Sequence, residues 1–258
     1  MTFATPADLA ELEAKVKQMY TAVAKDPDGD FHFEMGRELA ERLGYPTPVL
    51  NGIPGGAVES FAGVGYFFDL ADLKEGEEVL DLGSGSGMDA FFAALQVGEI
   101  GHVTGVDMTS EQREKADRLR SESGFDQVEF VEGRIEDLPF EDAAFDCIIS
   151  NGVINLSPAK ETVFAEAARV LRSGGRLAIA DIVAEVELAE RIVADTDLWA
   201  SCIGGAAQVD NYQQAIEASH LTLEAVKENP YRFLSEQAQN ACTRYGVKSV
   251  SLMARKVG

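Results

Sequence analysis

The chain has 258 residues, 46% hydrophobic and 26% charged, a composition typical of a folded globular protein. Its formal charge of −22 disfavours nucleic acid and anionic membranes as partners, because an acidic surface repels phosphate groups. The three cysteines are widely spaced without a CxxC pair, which excludes a disulfide framework and a zinc knuckle. The N-terminus lacks a signal-peptide pattern and no apolar run has the length of a membrane span, so we expect a cytoplasmic protein.

The first 74 residues predict a helical segment that serves as a lid. One or two helices precede the stretch 45–68, whose proline and glycine density predicts an ordered loop or a cover over a sheet edge. The aromatic residues in and after this stretch have two interpretations, core packing or the wall of a small apolar cavity.

Between residues 75 and 183, short β-rich runs alternate with helical stretches such as 110–123 and 159–172. This alternation predicts a doubly wound, mostly parallel sheet flanked by helices. The predicted strands are 77–83, 102–108, 127–133, 144–152 and 174–183.

Residues 184–258 predict a helical insertion followed by two further strands. Residues 184–219 have a helical pattern broken by Gly-Gly-Ala, and 221–230 and 248–257 predict an antiparallel pair at an edge of the sheet. In 248–257, polar and apolar residues alternate as they do in a strand at the edge of a sheet. The predicted fold is therefore α/β, with a mostly parallel seven-stranded sheet, an N-terminal helical lid and a helical insertion before the last strands. We predict three parts: 1–74, 75–183 and 184–258.

The turn after the first predicted strand carries Gly83, Gly85 and Gly87. Open α/β sheets bind ligands at this edge, and glycine lets a ligand approach the main chain while the next helix start offers free N–H groups. A phosphate-binding P-loop would need a lysine after Gly87, and a dinucleotide fingerprint would need glycine at Met88. The turn therefore predicts a small polar ligand held by neither of those motifs.

The spacing of Asp81 and these glycines, DxGxGxG, resembles the first motif of the class I S-adenosylmethionine methyltransferases, which have a Rossmann-like fold. Asp107 ends the second predicted strand 20 residues after Gly87, about where a carboxylate must lie to bind both ribose hydroxyls. Met108 matches an apolar residue that packs against adenine in this class.

Two further segments extend the resemblance, which runs from about residue 60 to 183. The segment 132–140, EGRIEDLPF, resembles the turn that binds the adenine edge, and 145–158, FDCIISNGVINLSP, resembles the fourth motif, which ends a strand under the methionyl part. The resemblance implies S-adenosylmethionine as the cofactor. It places these residues at the cofactor: Tyr20, Asp81, Gly83, Ser84, Gly85, Gly87, Asp107, Met108, Arg134, Ile135, Glu136, Ser150, Asn151 and Val153.

Within that class, VLDLGSGSGMD, GVDMT, SNGVINLSP and ADIV followed by DLWASCIGGA resemble the arsenite methyltransferase branch, which is similar to the ubiquinone-biosynthesis methyltransferases. Tyr20 resembles a tyrosine that closes over the cofactor in this branch. Its members hold trivalent arsenic with several cysteines, but here Gly152 stands at one such position and residues 1–146 contain none. Cys202 retains one thiol. Because a soft metalloid needs several converging thiolates, the sequence favours another acceptor.

The resemblance implies methyl transfer to a small molecule, with a thiol or another soft nucleophile favoured over oxygen and carbon acceptors. The histidine spacing indicates no metal site. Candidate catalytic residues are Glu59, Tyr66, His32 and Cys202. Three alternatives stay open: an arsenite-type enzyme with a reduced cysteine set, a catalytically silent cofactor-binding partner module, and a nicotinamide oxidoreductase. The sequence does not specify the oligomeric state.

Overall fold

The computed structural model describes residues 8–200 and 202–257; residues 1–7 of the predicted lid, and residues 201 and 258 of the third predicted part, lie outside the described range. Eight strands form one sheet. They are β1 Glu78–Leu82, β2 His102–Asp107, β3 Val128–Glu132, β4 Phe145–Asn151, β5 Leu171–Ala184, β6 Ala207–Gln208, β7 Leu221–Glu228 and β8 Lys248–Lys256. Seven adjoin in the order β3-β2-β1-β4-β5-β8-β7, and β6 pairs with the end of β5.

Strands β1 to β5 are parallel, and helices cover both faces of the sheet. No helix among the described residues is both long and apolar enough to cross a membrane. The α-helices are α1 Leu9–Lys25, α2 Gly36–Leu43, α3 Thr47–Leu50, α4 Gly55–Glu59, α5 Phe68–Ala71, α6 Met88–Val97, α7 Ser110–Ser123, α8 Lys160–Val170, α9 Glu190–Val193, α10 Thr196–Ala200, α11 Val209–Ala218 and α12 Glu236–Tyr245.

The central strand β1 is buried on both faces. Val79 joins the core that includes α6, whereas Leu80 and Leu82 join the opposite core beneath α8 and α11. A strand that is covered on both faces has a nearly continuous apolar sequence, and this run is why β1 could be predicted from the sequence. Asp81 interrupts the run on the Val79 side and is only 2% exposed.

The predicted mostly parallel α/β sheet of seven strands is confirmed, with the two-residue strand β6 as an addition. The prediction that 248–257 forms the edge is wrong, because β8 lies between β5 and β7 and the edge is β7. Ser249 and Ser251 produced the misleading polar alternation. Both are buried, and their hydroxyls donate to the carbonyls of Val64 at 2.7 Å and Tyr66 at 3.0 Å.

Helix α1 is amphipathic and begins at a capping residue, Asp8, whose carboxylate accepts from the N–H of Glu11 at 2.9 Å. Its buried side chains Leu12 and Val16 pack into a small cluster with Leu156 and Trp199. Leu156 ends the short helical turn Ile154–Leu156 that comes after β4, so this packing places α1 across the carboxyl edge of the sheet.

Candidate active site

A cavity of about 240 Å³ opens at the carboxyl ends of β1, β2 and β4. The strand order reverses between β1 and β4, and open α/β sheets bind ligands at such a point. One wall consists of the strand ends and the loops that follow them. Helix α1 and the segment 57–63 form the opposite wall.

Twelve of the fourteen residues predicted to contact the cofactor line this cavity, all except Gly87 and Ser150. Gly87 is the residue that precedes α6. The Ser150 hydroxyl donates to the carbonyl of Leu82 at 3.0 Å, which ties β4 to β1. The structure thus brings the predicted set together, and the individual contacts with a cofactor stay predictions.

All three loop glycines have positive φ, at +67° for Gly83, +53° for Gly85 and +92° for Gly87. A Cβ on Gly83 would lie 2.5 Å from Cγ1 of Val153, across the cavity floor. A larger residue would therefore be strained and would collide with the loop after β4. The glycines keep the main chain at the floor accessible.

Asp107 braces this loop from the end of β2. Its two carboxylate oxygens accept from the N–H of Gly85 at 2.9 Å and of Thr109 at 2.8 Å. Burial raises the pKa of Asp107, and the two N–H donors partly oppose that shift. Each oxygen retains a lone pair for a further donor from the cavity.

Two further carboxylates are buried in the cavity wall, Asp81 and Asp89. Burial, followed by the charge of Asp89, raises the pKa of Asp81 well above its usual value. Burial also raises the pKa of Asp89 to about 6. Oδ2 of Asp81 and the hydroxyl of Ser84 are buried and have no hydrogen-bond partner among the described residues. These polar atoms can bind a ligand that has donor groups or positive charge.

Asn151, at the end of β4, joins the carboxylates to the opposite wall. Its Oδ1 accepts from the N–H groups of Val64 at 2.7 Å and Gly65 at 3.2 Å. Its Nδ2 donates to Oδ2 of Asp89 at 2.9 Å, while the Tyr45 hydroxyl donates to Oδ1 of Asp89 at 2.6 Å. This network fixes the segment before α5 against the strand ends.

Asp89 and Tyr45 are functional residues of the site that the sequence did not predict. An acid in the first turn of a helix ordinarily indicates a favourable interaction with the helix dipole, so Asp89 gave no specific signal. Tyr45 is 44 positions away and precedes α3, so only the folded chain brings the pair together. Gln112 was missed for the same reason, and it connects the hydroxyl of Ser86 to the carbonyl of Tyr20.

The four candidate catalytic residues do not line the cavity. Glu59 is exposed, and the ring of Tyr66 lies 5.4 Å from the ammonium of Lys227. His32 is half-buried and packs edge-on against Phe33, and its Nε2 has no partner among the described residues.

Cys202 is adjacent to the cavity through Tyr20, since both side chains pack against the same apolar cluster and the thiol and the phenol face each other. Asn155 contacts the same thiol and also donates from Nδ2 to the carbonyl of Cys202 at 3.2 Å. Burial raises the pKa of the thiol to about 11 despite these contacts, so it stays protonated at neutral pH.

The aromatic residues divide between the two interpretations. Phe61 lines the cavity. Phe67, Phe68 and Trp199 are buried in the core, and the indole N–H of Trp199 donates to the carbonyl of Leu156 at 3.0 Å. No group of three or more His, Cys, Asp or Glu within residues 8–200 and 202–257 is arranged to hold a metal ion.

Residues 73–220 match the family described as "Methyltransferase domain". The chain belongs to this methyltransferase family. The arsenite methyltransferase of Halobacterium salinarum is 38% identical over 219 residues, which are 84% of this chain and 56% of that protein. The arsenite methyltransferase of Aquipseudomonas alcaligenes is 45% identical over 148 residues, covering 55% of this chain and 43% of that protein.

Among solved structures, an arsenic(III) S-adenosylmethionine methyltransferase from Chlamydomonas reinhardtii matches with 30% identity and a TM-score of 0.64. The match covers 87% of this chain and 75% of that chain. The resemblance to the arsenite methyltransferase branch is confirmed. The chain spans about half the length of the curated relatives it matches.

Proposed function

We propose that this protein is an S-adenosylmethionine-dependent methyltransferase that methylates a small-molecule acceptor, with a thiol or another soft nucleophile favoured. The observation that carries the proposal is the cavity at the strand-order reversal, where the glycine loop, Asp107 and a set of buried acceptors face one space. Family membership supports the reaction class.

The chemistry of the lining fits this cofactor. Asp107 has lone pairs for two ribose hydroxyls, and Met108 and Ile135 offer apolar surface to adenine. The unpartnered atoms of Asp81 and Ser84 fit the ammonium and polar groups of the amino-acid part. When bound, the cofactor supplies an electrophilic methyl group on a sulfonium.

The protein's contribution to the reaction is positioning and exclusion of water. The segment 57–63 and helix α1 form a wall opposite the glycine loop. Tyr20 projects into the cavity from α1, and its ring packs against the apolar cluster that Cys202 also contacts. Because the Cys202 thiol stays protonated, the acceptor must provide the nucleophile itself.

An arsenite-type reaction is a second candidate, favoured by the names of the relatives and by the position of Cys202 beside Tyr20. Its chemistry needs several thiolates at one centre. Cys147 is fully buried in β4, where burial raises its pKa to about 12, and Cys242 lies on α12. We therefore place arsenite behind other soft acceptors.

Calorimetry with S-adenosylmethionine and NADH tests the reaction class. We expect binding of S-adenosylmethionine, and strong binding of NADH alone would contradict the proposal. Labelled cofactor with a panel of thiols, arsenite, phenols and amines then identifies the acceptor. Absence of turnover across the whole panel would support a catalytically silent partner module instead.

The Cys202→Ser variant separates the two acceptor classes. Serine preserves a hydroxyl that can bond with Tyr20 but is a poor ligand for trivalent arsenic. We expect turnover of a thiol acceptor to fall less than about threefold, because serine keeps a polar group of similar size beside Tyr20. A selective loss of arsenite methylation would establish the second candidate.

We also propose the three-part organisation of 1–74, 75–183 and 184–258, with α1 as the cover of the second part. The composition supports a cytoplasmic location without nucleic-acid or membrane partners.

A further inference from the structure

The cavity contains an excess of buried negative charge. Asp81 is 2% exposed and Asp89 is 6% exposed. Among the ion pairs of the described residues, neither carboxylate has a lysine, arginine or histidine partner. Buried carboxylates in proteins are ordinarily paired with a cation, because desolvation of an isolated charge is costly.

Within the described part of the chain, Asp89 is held only by neutral donors, the hydroxyl of Tyr45 and the amide of Asn151. The other titratable groups that face it are the carboxyl of Asp81 and the phenol of Tyr66. The N–H of Ala90 opposes the rise in the pKa of Asp81, which burial and the charges of Asp89 and Asp107 cause. The fold therefore keeps two adjacent carboxylates in a wall without an internal counter-charge.

The chemistry of methyl transfer identifies a ligand that matches this arrangement. S-adenosylmethionine carries two positive centres, the α-ammonium and the sulfonium. A lone pair of the acceptor forms the new bond to the methyl carbon, and the electron pair of the broken carbon–sulfur bond stays on sulfur. The product is a neutral thioether at that position and retains only the α-ammonium.

We propose that Asp89 is a cofactor-binding residue that supplies the counter-charge for the sulfonium, so that the site holds the charged cofactor more tightly than the thioether product. Asp81, with its unpartnered oxygen, serves the ammonium that both molecules share. The proposal rests on the proposed function. It extends that function by assigning discrimination between cofactor and product to a residue outside the DxGxGxG motif.

The burial of Asp81 and Asp89 without a cation also determines whether this pair of carboxyls carries a proton. Without a cation, burial and mutual repulsion favour a protonated carboxyl, and a bound sulfonium displaces that proton. Binding of S-adenosylmethionine should therefore release more protons than binding of S-adenosylhomocysteine. Its affinity should also rise between pH 5 and pH 7, up to about tenfold per pH unit for one linked proton.

Calorimetry on the full chain tests the assignment with three probes: S-adenosylmethionine, S-adenosylhomocysteine and sinefungin, whose amine provides a positive charge near the sulfur position. For Asp89→Asn we expect about a tenfold or greater loss of affinity for the two charged probes, because a charge interaction inside a protein is only weakly screened. We expect less than about a twofold change for S-adenosylhomocysteine, because it has no charge at the sulfur, and the asparagine oxygen can still accept from Asn151 while its amide donates to the Tyr45 hydroxyl.

Asp107→Asn is the matched control, because its ribose contact is common to all three probes, so this variant should weaken the neutral probe as well as the two charged ones. An equal loss for charged and neutral probes in Asp89→Asn would overturn the assignment. If that variant does not fold, the wild-type protein still tests the proposal. The number of protons released on binding is measured by calorimetry at pH 6.5 in buffers of different ionisation enthalpy. Equal release with S-adenosylmethionine and S-adenosylhomocysteine would refute the proposal. Failure of the wild-type protein to bind either molecule would instead contradict the proposed function.

Discussion

The two walls of the cavity are held by different kinds of interaction. The floor consists of strand ends and the glycine loop, and it is fixed by main-chain hydrogen bonds such as that from the N–H of Gly83 to the carbonyl of Val106 at 2.8 Å. Helix α1 in the opposite wall is anchored by side chains that reach its carbonyls. Gln112 donates to the carbonyl of Tyr20 at 2.8 Å, and Lys115 donates to the carbonyl of Ala24 at 3.1 Å.

This difference indicates which wall moves when a ligand enters. The floor is continuous with the buried sheet, so it cannot open without disrupting the core. The cover has only a small apolar cluster of its own and a few polar contacts at its rim. We therefore expect the floor to determine affinity and α1 to determine access.

The largest expected effect comes from the floor. Asp107→Ala removes two hydrogen bonds to a charged group and the predicted ribose contact, so affinity for S-adenosylmethionine should fall about a hundredfold or more. Calorimetry measures it. Unchanged affinity would exclude Asp107 from the cofactor site and with it the assignment of this floor.

The second largest effect should be a loss of stability caused by a packing change in the floor. In Gly87→Ala, the added Cβ would lie 2.6 Å from Cζ of Phe130 at a φ of +92°, so backbone strain and overpacking combine. We expect a loss of about 2–4 kcal/mol in the free energy of unfolding.

Two other glycines serve as controls for Gly87→Ala in the same denaturant titration. Gly124 has a φ of +70° but open space, so Gly124→Ala reports strain alone, about 1 kcal/mol. Gly55 has open space and no positive φ, so Gly55→Ala should be close to neutral. Equal losses for Gly87→Ala and Gly124→Ala would show that the contact with Phe130 does not matter.

A change at the rim of the cover should act locally. Gln112→Ala removes the contacts to Ser86 and to the carbonyl of Tyr20. At about 1 kcal/mol for each hydrogen bond, amide exchange in α1 should accelerate about five- to thirtyfold, with little change in β1 or β4. Equal acceleration in the strands would mean that α1 and the floor unfold together.

The smallest effect should come from the exposed ion pair between Glu13 and Arg134, whose atoms are 2.7 Å apart. Glu13→Gln should lower the free energy of unfolding by less than about 1 kcal/mol and change cofactor affinity less than about threefold, because solvent screens such pairs. The difference from wild type should shrink further at high salt. A large effect would show that α1 is anchored mainly at this end.

Local sequence patterns were sufficient to predict most strands of the sheet. Helix α7 begins and ends at the predicted residues, 110 and 123, and the strands of the parallel half match their apolar runs. The mistake at β8 arose because buried serines resemble solvent-facing ones when their carbonyl partners are nearly 200 positions away. In the site, the glycine loop and Asp107 were recognisable because their spacing is local to one βαβ unit.

The sequence by itself determined the parallel α/β core, the glycine turn at its rim and the resemblance to a methyltransferase branch, since each depends on neighbouring residues and short periods. Only the tertiary structure decided that Asp89 lies with Tyr45 and Asn151 in the cavity wall, and that Cys202 contacts Tyr20 while the other thiols lie elsewhere. These contacts join residues from separate elements, and their charge state depends on burial, which no local pattern encodes.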